Sequence, residues 1–185
     1  MRNFNDLAKR TGLFGTKPLP SEDSSHSRDM AQVCLNGHLI NWSFAEEPED
    51  NEDYCAKCGA KTITNCTNCK RDIPGKPLKH GVVMIANKPP LHCIHCGEMY
   101  PWTISKIQAA KDAIREFEDL SDDQKSKLSS GIDDLVNETP RAGVVVVLFK
   151  KMAKNIGADG WAALKKLLFE IVSKEIKEKL GMTSN

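Results

Sequence analysis

Several features that would assign a protein to a broad class are absent from this sequence. It has no apolar run near the roughly 20 residues that a membrane-spanning helix needs. No apolar stretch follows the first charged residues, so we expect no signal peptide. Neither sign of charge dominates, because 26 Lys and Arg stand against 25 Asp and Glu. These absences argue against a membrane protein and against a wholly polybasic nucleic-acid binder.

Catalytic signatures are missing as well. The sequence contains no G-x-S-x-G, Walker A or H-E-x-x-H motif. We therefore expect that the protein is not an enzyme.

What the sequence does contain is a regular grid of metal-binding residue types. Its seven cysteines and one of its histidines fall into four close pairs, the first reading C-x3-H and the other three C-x2-C. Eight ligands suffice to close two tetrahedral zinc sites, one with three thiolates and an imidazole and one with four thiolates. We predict two Zn²⁺ ions per chain, bound by Cys34, His38, Cys55, Cys58, Cys66, Cys69, Cys93 and Cys96.

The spacing of the cysteines also bears on compartment and on catalysis. Regular doublets without a signal peptide favour reduced, metal-bound thiolates in a cytoplasm over disulfides, and zinc over a rubredoxin-like iron site. Every pair is complete, so neither zinc keeps the open position that a hydrolytic site needs for water. His92 and His95 interleave with the last pair but are not needed as ligands. We predict structural zinc.

Two wirings of the four pairs satisfy the ligand count. In sequential wiring, pairs one and two share a metal and pairs three and four share the other, as in tandem zinc ribbons. In cross-brace wiring, pairs one and three share a metal, as in binuclear treble-clef modules. The seven residues 59–65 between pairs two and three span at most about 25 Å, which is compatible with both. Of the two we favour the cross-brace.

The chain divides by composition into three parts. Residues 1–30 are poor in apolar side chains and are predicted to be a disordered tail. Residues 31–102 hold every ligand, with short strands predicted at residues 39–44, 61–65 and 82–85. Residues 103–185 are predicted to be a helical domain that could mediate self-association. The expected fold class is a small α+β protein: a β-rich binuclear zinc module, treble clef or tandem ribbon, followed by helices.

Local signals set the predicted helix boundaries. Thr103 is a candidate cap for the first helix, Ser121 with Gln124 fits a capping box, and Thr139 with Pro140 fits a third start. Gly157 is a predicted stop. The final helix is predicted to run unbroken to Gly181 with an apolar face made of Trp161, Leu164, Leu168, Val172, Ile176 and Leu180.

Charge is unevenly distributed in the zinc module. Residues 46–53 form an acidic loop with six carboxylates. From Cys55 to His92 there is one acid, Asp72, and seven bases, which are Lys57, Lys61, Lys70, Arg71, Lys76, Lys79 and Lys88. The basic stretch could contact phosphates, but it has no aromatic side chain on which a base could stack.

Five segments around the ligands, at residues 34–40, 54–63, 66–75, 89–97 and 100–103, carry a family pattern. Together they resemble a bacterial domain-of-unknown-function family, whose members are similar to zinc-ribbon or RING-like treble-clef proteins. The resemblance covers roughly residues 31–105 and implies a bacterial origin and two zinc sites, but no activity. It departs from a RING, because His38 is the second ligand and not a middle one.

The function predicted from these observations is that of a structural zinc protein which uses its two-zinc module to contact a protein partner. The alternative is a zinc-ribbon protein that binds nucleic acid through the basic Cys55–His92 stretch. Membrane contact through the last helix is a third and weaker reading, because its apolar stripe is explained more simply as a core face.

Overall fold

The computed structural model describes residues 28–77 and 88–182. Most of the predicted tail and the strand predicted at residues 82–85 lie outside this part. The described chain begins with a strand at Arg28–Met30, which covers the last three residues of the predicted tail. Within the described residues, no helix is both long and apolar enough to cross a bilayer.

Five short strands form two small antiparallel sheets. We number them β1 (Arg28–Met30), β2 (Gln32–Cys34), β3 (Leu39–Asn41), β4 (Thr62–Ile63) and β5 (Pro74–Pro77). One sheet pairs β1 with β5, and the other has the order β3-β2-β4. Strands β3 and β4 lie within the segments predicted at residues 39–44 and 61–65 but are shorter. Together with the helices that follow, these sheets confirm the predicted small α+β class.

The acidic loop is held on the sheets by buried polar side chains. The Asp29 carboxylate accepts hydrogen bonds from the backbone N–H groups of Ala45 and Glu46, both at 3.0 Å. The Gln32 side chain donates to the Glu52 carbonyl at 2.8 Å and accepts from its N–H at 3.0 Å. Because these contacts satisfy the backbone of the loop, its carboxylates are presented outward on a fixed scaffold.

The helical region contains four helices. They are α1 (Pro101–Arg115), α2 (Asp122–Val136), α3 (Ala142–Phe169) and α4 (Lys174–Lys179), with α3 broken at Gly157, where φ is 78°. The capping box of Ser121 and Gln124 at the start of α2 is confirmed. So is the predicted stop at Gly157, and the apolar run at residues 144–149 is helical.

Two predicted helix starts are wrong. Pro101 begins α1, because proline has the helical φ built in, while the Thr103 hydroxyl is buried and donates to the Leu91 carbonyl at 2.8 Å. Helix α3 begins at Ala142. The Thr139 hydroxyl accepts a hydrogen bond from the Arg141 N–H at 3.3 Å and donates to the Asp134 carboxylate at 2.6 Å, but it lies three residues before the helix.

The prediction of one unbroken final helix is also wrong. Helix α3 ends at Phe169, and α4 begins only after Ser173, whose side chain accepts a hydrogen bond from the Ile176 N–H at 3.3 Å. Ile171 and Val172, at the break, are buried in the core. The apolar stripe of the sequence survives the break because the turn keeps both residues facing inward.

Two apolar cores meet at the start of α1. The larger lies between the helices, and Leu91 and Met99 of the zinc-ligand region pack against it. The smaller lies between the two candidate metal sites and contains Ile73, Tyr100 and Trp102. The ligand-bearing region and the helices are therefore joined by packing as well as by sequence.

Two helical glycines give a prediction about the packing of α2 against α3. A methyl group at Gly131 would lie 2.7 Å from a Val145 methyl, whereas one at Gly143 would meet nothing within 4 Å. We expect Gly131→Ala to destabilise the protein by about 1 kcal/mol, because crowding a stiff β-branched side chain outweighs the gain in helix propensity.

The matched control is Gly143→Ala, which should be neutral or stabilising by up to about 0.5 kcal/mol. Urea denaturation of the metal-loaded protein measures both changes. Equal effects of the two substitutions would show that α2 and α3 do not approach each other as described.

Candidate metal centres

The three C-x2-C pairs lie on turns of the same design, which we call knuckles 2, 3 and 4 in chain order. In each, the residue after the second cysteine donates its N–H to the carbonyl of the first, at 2.7, 3.0 and 2.8 Å. That residue adopts a positive φ, at Gly59 (69°), Lys70 (63°) and Gly97 (74°). Glycine adopts this conformation without strain, while Lys70 takes it with a side chain.

The first pair, on knuckle 1, forms a related turn with one extra residue. The His38 N–H donates to the Cys34 sulfur at 3.2 Å, and the Gly37 N–H donates to the Cys34 carbonyl at 2.8 Å. Gly37 has a φ of 82°, and a side chain there would collide with Trp102, whose Cβ would lie 2.8 Å away. Glycine is thus required at this position for two reasons.

The structure brings the eight predicted ligand residues into two groups of four. Site 1 contains Cys34, His38, Cys55 and Cys58, and site 2 contains Cys66, Cys69, Cys93 and Cys96. In each group the four donor atoms all lie within 4.8 Å of one another. The pairing is sequential, as in tandem ribbons, so the preference for cross-brace wiring is wrong.

Strand register explains why the wiring is sequential. Strand β2 ends at Cys34 and pairs with β4 so that Cys34 lies opposite Thr62. The Leu35 N–H then donates to the Lys61 carbonyl at 3.0 Å, which places knuckle 1 beside knuckle 2. Strand β4 is extended, and knuckle 3 follows it in the chain, so knuckle 3 lies apart from knuckles 1 and 2.

The separations of the donor atoms fit tetrahedral coordination. A zinc ion with Zn–S bonds of about 2.3 Å and Zn–N bonds of about 2.05 Å separates two sulfurs by roughly 3.8 Å, and sulfur from nitrogen by roughly 3.6 Å. In site 1, the Cys34 and Cys58 sulfurs are 3.8 Å apart, and His38 Nδ1 lies 3.5 Å from Cys34 and 3.6 Å from Cys55. In site 2, Cys66–Cys96 is 3.9 Å and Cys69–Cys93 is 3.7 Å. Both groups can therefore hold a metal ion.

The protonation equilibria of the sulfurs also favour a cation. Hydrogen bonding from the backbone of Ala60 lowers the pKa of Cys58 to about 6. In site 2, burial acts to raise the pKa of Cys93, but hydrogen bonds from the backbone of His95 and Cys96 outweigh it and lower the pKa to about 6. At Cys69 a backbone hydrogen bond from Arg71 is outweighed by burial and the neighbouring sulfurs, which raise the pKa to about 11. Four adjacent thiolates repel one another, and a divalent cation removes that repulsion.

A stacked aromatic pair connects the two sites. The rings of Tyr100 and Trp102 lie 4.5 Å apart, and both side chains are buried. Trp102 packs on Gly37 of site 1 and donates from Nε1 to the Pro90 carbonyl at 2.9 Å. Burial, and then the neighbouring Cys93, raise the pKa of Tyr100, so its hydroxyl stays neutral beside site 2. Both residues belong to the smaller core, and the half-buried Trp42 packs against it.

The surroundings of the two sites differ in charge. A cleft beside site 1 is lined by His38 and Cys55 together with Glu49, Asp50 and Glu52. Exposed bases surround site 2, where Arg71 Nη1 lies 3.4 Å from His95 Nδ1 and Lys70 follows Cys69. A divalent ion leaves two uncompensated negative charges among four thiolates, and one among three thiolates and an imidazole. Lys70 and Arg71 thus lie beside the site with the larger negative charge, while Lys57 lines the cleft of site 1 among the acids.

Other residues singled out by sequence lie outside the sites. His92 Nε2 is 3.1 Å from the Asn137 side chain, and His95 faces Arg71, so neither belongs to a donor group. The analysis of the sequence missed two asparagines, Asn36 and Asn68, whose amides reach sulfurs of the sites. The available signal was that each stands two residues after the first ligand of its site.

Double substitutions test the wiring directly. We expect Cys34→Ser with Cys55→Ser, both in site 1, to leave one metal ion per chain, because site 2 stays complete. The matched pair Cys34→Ser with Cys66→Ser removes one ligand from each site and should leave none. Elemental analysis of the purified variants measures this, and cross-brace wiring would give the reverse order.

Comparisons with known proteins bear on the family to which the chain belongs. No curated protein and no solved structure matches the chain. One family model does match, over residues 27–180, which include every donor residue and nearly all of the helical region. Its description reads "Uncharacterized protein conserved in bacteria (DUF2321)". The match covers most of the chain, so this protein belongs to that uncharacterised bacterial family.

Proposed function

We propose that this protein is a non-enzymatic zinc protein whose two-ribbon module contacts a protein partner in the cytoplasm. The observation that carries the zinc assignment is the presence of two four-donor groups with tetrahedral edge lengths. Thiolate-rich donor sets of this size select zinc over magnesium or calcium, which take oxygen ligands.

The geometry supports a structural and not a catalytic role for the metal. Each group supplies four protein donors, which fill a tetrahedron and leave no position for water or substrate. In the cleft beside site 1, the Glu52 carboxylate accepts a hydrogen bond from the Ala56 N–H at 3.4 Å.

An exposed apolar surface beside site 1 supports the proposal that the module contacts a protein partner. Tyr54 is 63% exposed and Leu35 is 36% exposed. Both are fixed on Lys61, because Tyr54 forms a β-bridge with it and the Leu35 N–H donates to its carbonyl. Tyrosine beside an aliphatic side chain and a base, on a backbone held by metal, resembles the centre of many protein interfaces. On the helices, exposed Val144 and Val147 support a second proposal, self-association through α3.

The nucleic-acid alternative draws less support from the described residues. Two of the seven bases in the basic stretch are paired with acids: Lys76 lies 3.5 Å from Glu46, and Lys88 lies 3.2 Å from Glu170. Lys79 lies outside the described residues. Lys57, Lys61, Lys70 and Arg71 remain exposed, and the exposed Tyr54 lies beside them because it forms a β-bridge with Lys61. Phosphate contact by four bases would give weak binding with a strong salt dependence.

Metal analysis tests the zinc assignment. We expect two zinc ions per purified chain, and we expect a strong chelator to abolish the near-ultraviolet circular dichroism of the stacked Tyr100 and Trp102. Much of the helical signal should persist, because the larger core contains no ligand. A folded chain with fewer than two ions, or with iron, would contradict the proposal.

Site-specific photo-crosslinking tests the partner surface. A photoreactive residue in place of Tyr54, in cells of the source bacterium, should give one discrete adduct with a different protein. Lys174, whose side chain is 92% exposed on α4, is the control position and should give none. Leu35→Asp should abolish the adduct while the protein keeps its metal content.

Two experimental results would contradict the proposed partner surface. Adducts of equal strength at both positions would show nonspecific contact. Binding of single- or double-stranded DNA or RNA by the purified protein, lost between low and physiological salt and weakened by Lys70→Ala with Arg71→Ala, would favour the nucleic-acid alternative instead.

A further inference from the structure

The two sites share one feature that their ligand sets do not require. In site 1, the Asn36 amide nitrogen lies 3.5 Å from the Cys58 sulfur. In site 2, the Asn68 amide nitrogen lies 3.8 Å from the Cys96 sulfur. Each asparagine comes from the first knuckle of its site and reaches the last cysteine of the second knuckle. An amide N–H is a donor, and a thiolate is the acceptor it meets.

The contact falls on the same corner of both tetrahedra. The last cysteine is paired across one edge with the first ligand, at 3.8 Å for Cys34–Cys58 and 3.9 Å for Cys66–Cys96. The middle two ligands lie across the opposite edge in both sites. The first knuckles differ, reading C-L-N-G-H and C-T-N-C, yet both place an asparagine on this corner. The repeat shows that the contact does not depend on one local turn.

That corner is also the most accessible part of each site. Cys58 and Cys96 are the two exposed cysteines, whereas Cys34, Cys55, Cys66 and Cys93 are buried. Water, protons, competing chelators and thiol reagents therefore reach the metal–sulfur bond first at Cys58 and Cys96. A hydrogen bond to a metal-bound sulfur withdraws charge from it, which makes the sulfur less basic and less nucleophilic.

We propose that Asn36 and Asn68 are positioning residues that shield the outermost thiolate of each site and slow the loss of its metal. This inference rests on the proposed zinc assignment. It adds that the two asparagines determine how slowly each site loses its metal. Removing the hydrogen-bond partner of a metal ligand typically lowers metal affinity by roughly 10–100-fold.

The test uses the full-length zinc-loaded protein and resolves the two sites. Asn36→Ala and Asn68→Ala are compared with wild type by zinc transfer to a chromogenic chelator, and by iodoacetamide alkylation followed by peptide mass spectrometry. We expect Asn36→Ala to speed alkylation of Cys58 by roughly tenfold and to leave Cys96 unchanged, with the reverse for Asn68→Ala. The unaffected site is the internal control for folding.

Further variants separate shielding from general loosening of a knuckle. Thr67→Ala replaces an exposed knuckle residue that has no contact to sulfur and should change neither rate. Asn36→Gln retains the amide donor and should restore at least part of the protection. Unchanged rates in both alanine variants, or equal acceleration at both sites in each of them, would overturn the proposal. A wild-type protein without two zinc ions would instead refute the zinc assignment.

Discussion

The closure of four donors around one point is the constraint on which the rest of the structure depends. The strands of the ligand-bearing region are only two to four residues long, and isolated pairs of this length are not stable in water. Coordination of structural zinc supplies roughly 10–16 kcal/mol in small finger peptides, which is comparable to the whole stability of a domain. The sheets therefore serve mainly to place the knuckles, and a metal ion bound at each site would keep the sheets together.

The stacked pair of Tyr100 and Trp102 links the two metal sites to the helices. Trp102 touches the tight turn of site 1, Tyr100 lies beside site 2, and both belong to the first turn of α1 or directly precede it. Pro101 between them fixes the direction in which the helix leaves. Because Thr103 is bonded to the Leu91 carbonyl, the start of α1 is tied to the chain just before knuckle 4. The metal sites thereby set where the larger core begins.

The identity of the donor residues was predictable from sequence because it depends on spacing within single turns. The wiring was not, since it depends on the register of a two-residue strand, β4, which no pattern of that length specifies. The capping box at Ser121 is local and was predicted, whereas Thr103 was misjudged because its hydroxyl bonds to the Leu91 carbonyl, twelve residues away. Asn36 and Asn68 show the same limit: their sulfur partners lie more than twenty residues away.

Lys70 has a consequence for how such a protein changes over evolutionary time. Lys70 adopts a left-handed backbone conformation, which costs a residue other than glycine about 1–2 kcal/mol. Knuckles 2 and 4 have glycine at the equivalent position. A domain held together by a small apolar core would be selected against carrying that cost. Where metal coordination provides the cohesion, the exposed tips of the knuckles are released from the demands of folding. Apart from the donor residues, Gly37 and the two asparagines, substitutions at these tips would then leave the fold intact.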